Sequence, residues 1–294
     1  MRKLLIVGLL TFQAFYANAQ EGFFSGFSLR KSFQSQSASA DPAVITFLKP
    51  DGKASSWLLN AAIGYNVLQN SSAVLELSPY VEYNRNTLID KEQNNWQLGL
   101  SSEWQPLDIL EKGWTPVLVG VIKFYDDQVK NNTSFQGNYY LTPVFKGKGL
   151  EGKYFWIPNN VSNFGKIIQF SYSPYLGFEQ ENRINTAEEA SKGSIYRVML
   201  RVTTRISLFP LNDSLREKFE LTTDYQFRSN LRESVDNIET SQYSYFIAGA
   251  NFLLFSLENG RRVAKIGFDH TNGENPVNNF EKQSFYALSL KLKL

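Results

Sequence analysis

The chain contains no cysteine and a single histidine, His270. The first absence excludes a disulfide framework, thiolate metal sites and lipidation through an N-terminal cysteine. The second leaves little room for acid–base or triad chemistry built on imidazole. Beyond the N-terminal segment, no apolar run approaches the ~20 residues that a spanning helix needs. An excess of one charge is also missing. Arg2 and Lys3 account for two of the 30 Lys+Arg, which leaves 28 against 28 Asp+Glu from Gln20 onward. Nothing in that balance argues for nucleic acid. There is no phosphate-binding glycine motif, zinc signature or calcium-loop spacing, so no cofactor and no metal are expected.

What the chain does have begins with a leader. Arg2 and Lys3 precede an apolar stretch from Leu4 to Tyr16, and Ala17-Asn18-Ala19 forms a small-residue cleavage site. The pattern is that of a secretory signal peptide over residues 1–19, with a mature chain of 20–294 forming one domain.

The mature chain alternates with a period of two. In Asn95 to Gln105, Trp96, Leu98, Leu100, Ser102 and Trp104 fall on one side, and Gln97, Gly99, Ser101, Glu103 and Gln105 on the other. That period belongs to a β-strand with one apolar and one polar face. Eight positions along a strand span ~27 Å, or ~20 Å along a membrane normal at a tilt of ~40°, close to the height of a barrel's apolar band between aromatic girdles. A chain that crosses lipid without helices must close its sheet, because lipid satisfies no open edge. The expected fold is therefore all-β: a membrane-spanning antiparallel up-and-down barrel of about 12 strands. The strands are read at Phe23–Phe33, Ser56–Leu68, Ala73–Asn84, Asn95–Gln105, Thr115–Tyr125, Phe135–Lys146, Lys166–Gln180, Ser194–Leu208, Lys218–Arg228, Gln242–Leu257, Arg262–Thr271 and Gln283–Leu294. The fifth alternates least, and the sixth is the weakest.

Starting the first strand upward gives periplasmic turns at Gln69–Ser72, Pro106–Trp114, Gly147–Gly165, Phe209–Glu217 and Glu258–Arg261. The outer loops begin with Gln34–Ser55, whose Gln34–Pro42 part reads as mobile. The connection Gly147–Gly165 is long and carries Tyr154, Phe155 and Trp156. An extra hairpin, making fourteen strands, and an internal plug both stay open.

Leader, alternating strands, an asymmetry of short periplasmic turns and longer outer loops, and a chain-terminal strand together resemble bacterial outer-membrane β-barrel proteins. The resemblance implies a Gram-negative outer-membrane location, outer-membrane lipid as surroundings, and the barrel-assembly machinery as a partner during biogenesis. In that class the last strand is the assembly signal. Tyr286, Leu288, Leu290, Leu292 and Leu294 give its alternation, although the final residue is Leu294 and not an aromatic. Lys291 and Lys293 fall on the other face and are placed inside, since on lipid each costs ~2–4 kcal/mol at the midplane.

The strongest polar constellation is Arg197, Arg201 and Arg205 on one strand with Glu220, Asp224 and Arg228 on the next. These six are expected to line the lumen, with Arg201 and Arg205 within reach of Asp224 and Arg205 diagonal to Glu220. A salt-bridge lattice that stiffens a narrow barrel is the ordinary reading; a lining that selects anionic solutes is the functional one. His270 lies in Asp269-His270-Thr271-Asn272-Gly273. Outer-membrane phospholipase A carries a similar HxSNG-like stretch, but Asn272 stands where its nucleophilic serine would fall, so no catalytic residue is expected. The acidic pairs Asp126-Asp127 and Glu188-Glu189 read as solvated loops. The functional expectation is transport: a narrow pore or channel for small polar solutes. A closed structural or surface-interaction barrel comes second and a lipid hydrolase third.

Overall fold

A computed structural model describes residues 26–34, 41–48, 55–70, 75–88, 92–145, 157–187, 191–212, 215, 218–235, 241–257, 262–278 and 280–293. The expected leader lies outside them, as do most of Gln34–Pro42, Glu188-Glu189 and residues 146–156 with Tyr154, Phe155 and Trp156. The strands are β1 (Phe27–Arg30), β2 (Ala43–Leu48), β3 (Ser56–Tyr65), β4 (Leu68–Asn70), β5 (Leu75–Asn86), β6 (Gln93–Trp104), β7 (Trp114–Asp127), β8 (Asn132–Phe145), β9 (Ser162–Phe164), β10 (Ile168–Asn185), β11 (Gly193–Leu208), β12 (Phe219–Glu233), β13 (Gln242–Leu257), β14 (Arg262–Asn275) and β15 (Glu281–Lys293). Round the wall the order is β2-β3-β5-β6-β7-β8-β10-β11-β12-β13-β14-β15, each strand antiparallel to the next, and β15 returns to β2; β4 lies on β5 and β9 on β10. The result is a closed up-and-down barrel of 12 strands. Closure removes both free edges of the sheet.

The expected alternation is the observed one. Trp96 and Trp104 point outward, 44% and 45% exposed, while Asn95, Gln97, Ser101 and Glu103 point inward and are buried. Four strands carry an outward apolar face across ten residue steps, with Thr204 the one polar exception: Trp114 to Phe124, Phe135 to Phe145, Ile168 to Phe178, and Val198 to Leu208. Ten positions rise ~33 Å along a strand, or ~25 Å along the barrel axis at a tilt of ~40°. Above that belt β10 turns polar, with Gln180 and Asn182 outward.

The first strand departs from expectation. It is split into β1 and β2, which occupy successive stretches of the same edge of β3: Arg30 faces Ala62 and Val44 faces Asn60. The chain between them leaves the wall, and Lys31 N–H donates to the Asp41 carbonyl (2.8 Å) where the detour closes. Part of the expected outer loop Gln34–Ser55 is thus strand β2. Phe33, on the detour, is fully buried inside the barrel and stacks on Tyr80 at 4.7 Å. Around it gather Ala62, Val117, Val119, Val121, Tyr140, Tyr175 and Met199, a hydrophobic core within the interior. The fifth expected strand alternates least for this reason, since its inner valines pack on Phe33. Gly64 sits beneath the Phe33 ring, and a Cβ there would fall on ring carbons. Gly64→Ala is expected to cost about 1–3 kcal/mol through overpacking, read as a lowered denaturation midpoint; an unchanged midpoint would show that Phe33 does not pack there.

The connections correct a second expectation. Take the lower end as the one carrying Gly26 and Lys293. Upper connections such as 128–131 and 276–280 are shorter than lower ones such as 105–113 and 209–218. The asymmetry of short lower turns and long upper loops is absent because the strands rise past the belt; β10 alone runs 18 residues. The connection 105–113 holds one helical turn, α1 (Ile109–Lys112). Asp108 caps it by accepting from Leu110 N–H, and Gly113 ends it at φ 71°. In the long lower connection, β9 pairs only with Ile168–Phe170 of β10, so no fourteen-strand ring forms.

Candidate functional site in the barrel interior

The inward positions of β10, β11 and β12 carry charge, and register decides which charges meet. Thr203 lies opposite Asp224, which puts Arg201 on the diagonal. Arg201 donates to both Asp224 oxygens at 2.8 Å, the fork geometry that suits guanidinium to carboxylate. Ser207 lies opposite Glu220, and Arg205 reaches Glu220 at 3.0 Å. Lys265 of β14 meets the same carboxylate at 2.7 Å.

Arg197 and Arg228 do not pair within the six residues singled out from the sequence. Arg228 Nε donates to both oxygens of Glu179 (3.1 and 2.8 Å), and the Tyr140 hydroxyl donates to Glu179 Oε1 (3.0 Å). Arg197 pairs with Glu181 at 2.8 Å and donates to Asn230 Oδ1 at 3.0 Å; Arg183 shares Glu181 at 2.9 Å. Glu179 and Glu181 were the missed members. Their signal was their spacing of two on β10, on the face opposite Leu176 and Phe178. Across the barrel, Lys123 Nζ donates to Gln97 Oε1 (2.7 Å), and Gln97 Nε2 and Asn84 Nδ2 donate to Glu82 Oε1 (3.1 and 3.0 Å). Paired in this way, the interior charges form a lattice that fills the upper half of one side.

The other side is hollow. A cavity of about 360 Å³ is lined chiefly by β10–β15, β2 and β3, from Glu220 and Lys265 near the lower end to Asn275 and Gln283 near the upper. Lys291 crosses its wall, donating to Asp269 Oδ1 (2.6 Å) and Asn251 Oδ1 (2.7 Å). Lys291 therefore faces inward. Asp41, at the end of the detour, sits 3.7 Å from Arg201.

The β14–β15 connection, described at Pro276–Asn278 and Phe280, folds over the upper mouth. From its β14–β15 anchorage it reaches β6, where Gln93 Nε2 and Asn95 Nδ2 donate to the Val277 carbonyl (2.7 and 3.1 Å). The Phe280 ring lies 4.7 Å from the Arg197 guanidinium and 5.9 Å from that of Arg228, and 4.2 Å from the Tyr243 ring. Lys130 and Glu281 pair at 2.8 Å across the rim. Phe280 holds φ 61°, a left-handed backbone that a bulky residue rarely adopts and that such contacts must impose.

His270 is elsewhere. It stacks on Tyr286 at 4.4 Å, opposite it on β15, whereas Asp269 and Thr271 are buried on the inner face. Asp126 accepts from the Thr133 hydroxyl, and Asp127 accepts from Val129 and Lys130 N–H, so both organise the β7–β8 turn.

The six arginines and carboxylates read from the sequence all lie on β11 and β12, and three of them, Arg205, Glu220 and Asp224, border the cavity. Comparison with protein-family models and with curated proteins returns no match.

Proposed function

We propose that the protein is an integral outer-membrane barrel, exported by a cleaved leader, that passes small polar solutes through the cavity along β12–β15. The observation that carries this reading is the inversion of polarity across the wall. An outward apolar belt ~25 Å tall, the height of a barrel's lipid-facing band, encloses an inward face of paired charges, hydroxyls and amides. A soluble barrel would put its charges outside and its leucines within. The folded connection 276–280 restricts the path at one end, so the pore is narrow.

Membrane fractions of cells making the full-length chain should hold the protein, and unheated detergent gels should show a fast-migrating folded band. The purified protein should give small unitary conductances in planar bilayers. Recovery in the soluble periplasmic fraction would overturn the membrane reading. A folded band with no conductance above leak would overturn the pore. A closed barrel is the second reading, and the packing of Phe33 and Phe280 inside favours it; the same recording separates the two.

A further inference from the structure

The cavity along β12–β15 has a chemistry of its own. Four carboxylates border it, and each faces a cation: Asp41 and Asp224 share Arg201, Glu220 holds Arg205 and Lys265, and Asp269 holds Lys291, while Lys31, next to the strand end at Arg30, is one further cation on the lining. Charges neutralised within the wall leave little field to select an ion. What remains for recognition is neutral. Thr46 and Ser289 border the space and share a hydrogen bond (2.8 Å) that uses one of their two hydroxyl protons. Asn60 and Thr222 add an amide and a hydroxyl. Between them stand apolar walls, Val44, Leu58 and Ile247, and the rings of Tyr245 and Phe285.

From this lining we infer that the cavity is a binding site for a neutral polyhydroxylated ring compound, a saccharide of one or two rings. Such a molecule has two kinds of surface. Its hydroxyl edge matches closely spaced Ser, Thr and Asn side chains. Its C–H faces match aliphatic and aromatic walls, and the electron-rich ring face favours polarised C–H groups. A volume of about 360 Å³ lies at the low end of the range of small-molecule sites, ~300–1,000 Å³, and suits that size. The inference rests on the reading of the barrel as a passage for small solutes and names the class that would occupy it.

The test uses the refolded full-length mature chain in detergent micelles, titrated with maltose, glucose 6-phosphate and glucosamine by saturation-transfer NMR. Maltose should bind saturably, and more tightly than either charged sugar. Thr46→Val with Ser289→Ala removes both partners of one hydrogen bond, which leaves stability nearly unchanged; it should weaken maltose about tenfold. Phe285→Ala should weaken it similarly by removing a ring wall. The heat-modifiable folded band confirms that each variant has folded. Equal or tighter binding of the phosphate ester would overturn the inference, as would no saturable binding of maltose or an unaltered affinity in both variants. Planar-bilayer conductance is measured on the same preparation. A conducting barrel that ignores maltose refutes this site alone, and a silent barrel that binds maltose refutes the pore alone.

Discussion

Replacing Pro276–Phe280 by a two-residue Asn-Gly turn is expected to raise planar-bilayer conductance at least several-fold. A type I′ turn suits the twist of an antiparallel pair, and β14 and β15 are already in register at Asn275 and Glu281, so the ladder should survive the excision. What is lost is the cover over the upper mouth: the Val277 carbonyl that takes Gln93 and Asn95, and the ring set against Arg197 and Arg228. The single substitution Phe280→Gly gives a second, independent handle. Glycine accepts φ 61° without steric penalty, so the backbone relaxes while the ring disappears. The folded band should be kept and conductance should rise less than in the excision. Unchanged conductance in both variants would show that this connection does not limit the path.

The second large effect is on stability. Glu179→Leu leaves the Arg228 guanidinium buried without its carboxylate and takes the acceptor from the Tyr140 hydroxyl. Breaking one partner of a buried pair costs about 3–5 kcal/mol, far more than the pair contributes over an apolar replacement. Removing Arg228 as well, as Glu179→Leu with Arg228→Met, should restore most of that loss. Loss of the folded band against urea measures both variants. If the single change has no effect, Arg228 is solvated and the interior is open there; if the double is as weak as the single, the Tyr140 hydroxyl carries the cost.

Which features were legible in the sequence follows from the range of the contacts that create them. Strand positions were legible because alternation is local. Gln242–Leu257 forms β13 with the bounds expected from its pattern, and the expected twelve-strand ring is the observed one. The expectation that Arg201 meets Asp224 needed only one hairpin register. The partners of Arg197 and Arg228 needed a third strand, β10, whose Glu179 and Glu181 were not drawn into the same constellation. The split first strand was hidden for a different reason. A detour that fills the interior is written in polar residues such as Lys31 and Ser32, and Phe33 alone marks it as inward-bound. The same detour disguised Val117, Val119 and Val121, whose side of β7 looks as apolar as its lipid-type face. The folded connection 276–280 was beyond any local pattern, since its anchor on Gln93 lies 184 residues away in sequence.

The split strand also bears on the order of assembly. Among the described residues, the last strand joins the first from Leu288 opposite Phe47 to Leu292 opposite Ala43, a brief seam beside the long ladders elsewhere in the wall. Once that seam has zipped, Phe33 and its neighbours Lys31 and Ser32 would have to enter a finished cylinder to reach their place. The tucked segment must therefore go in while the cylinder is still gaping, and sealing comes last. The seam is then both the final step of construction and the weakest line along which the wall could part.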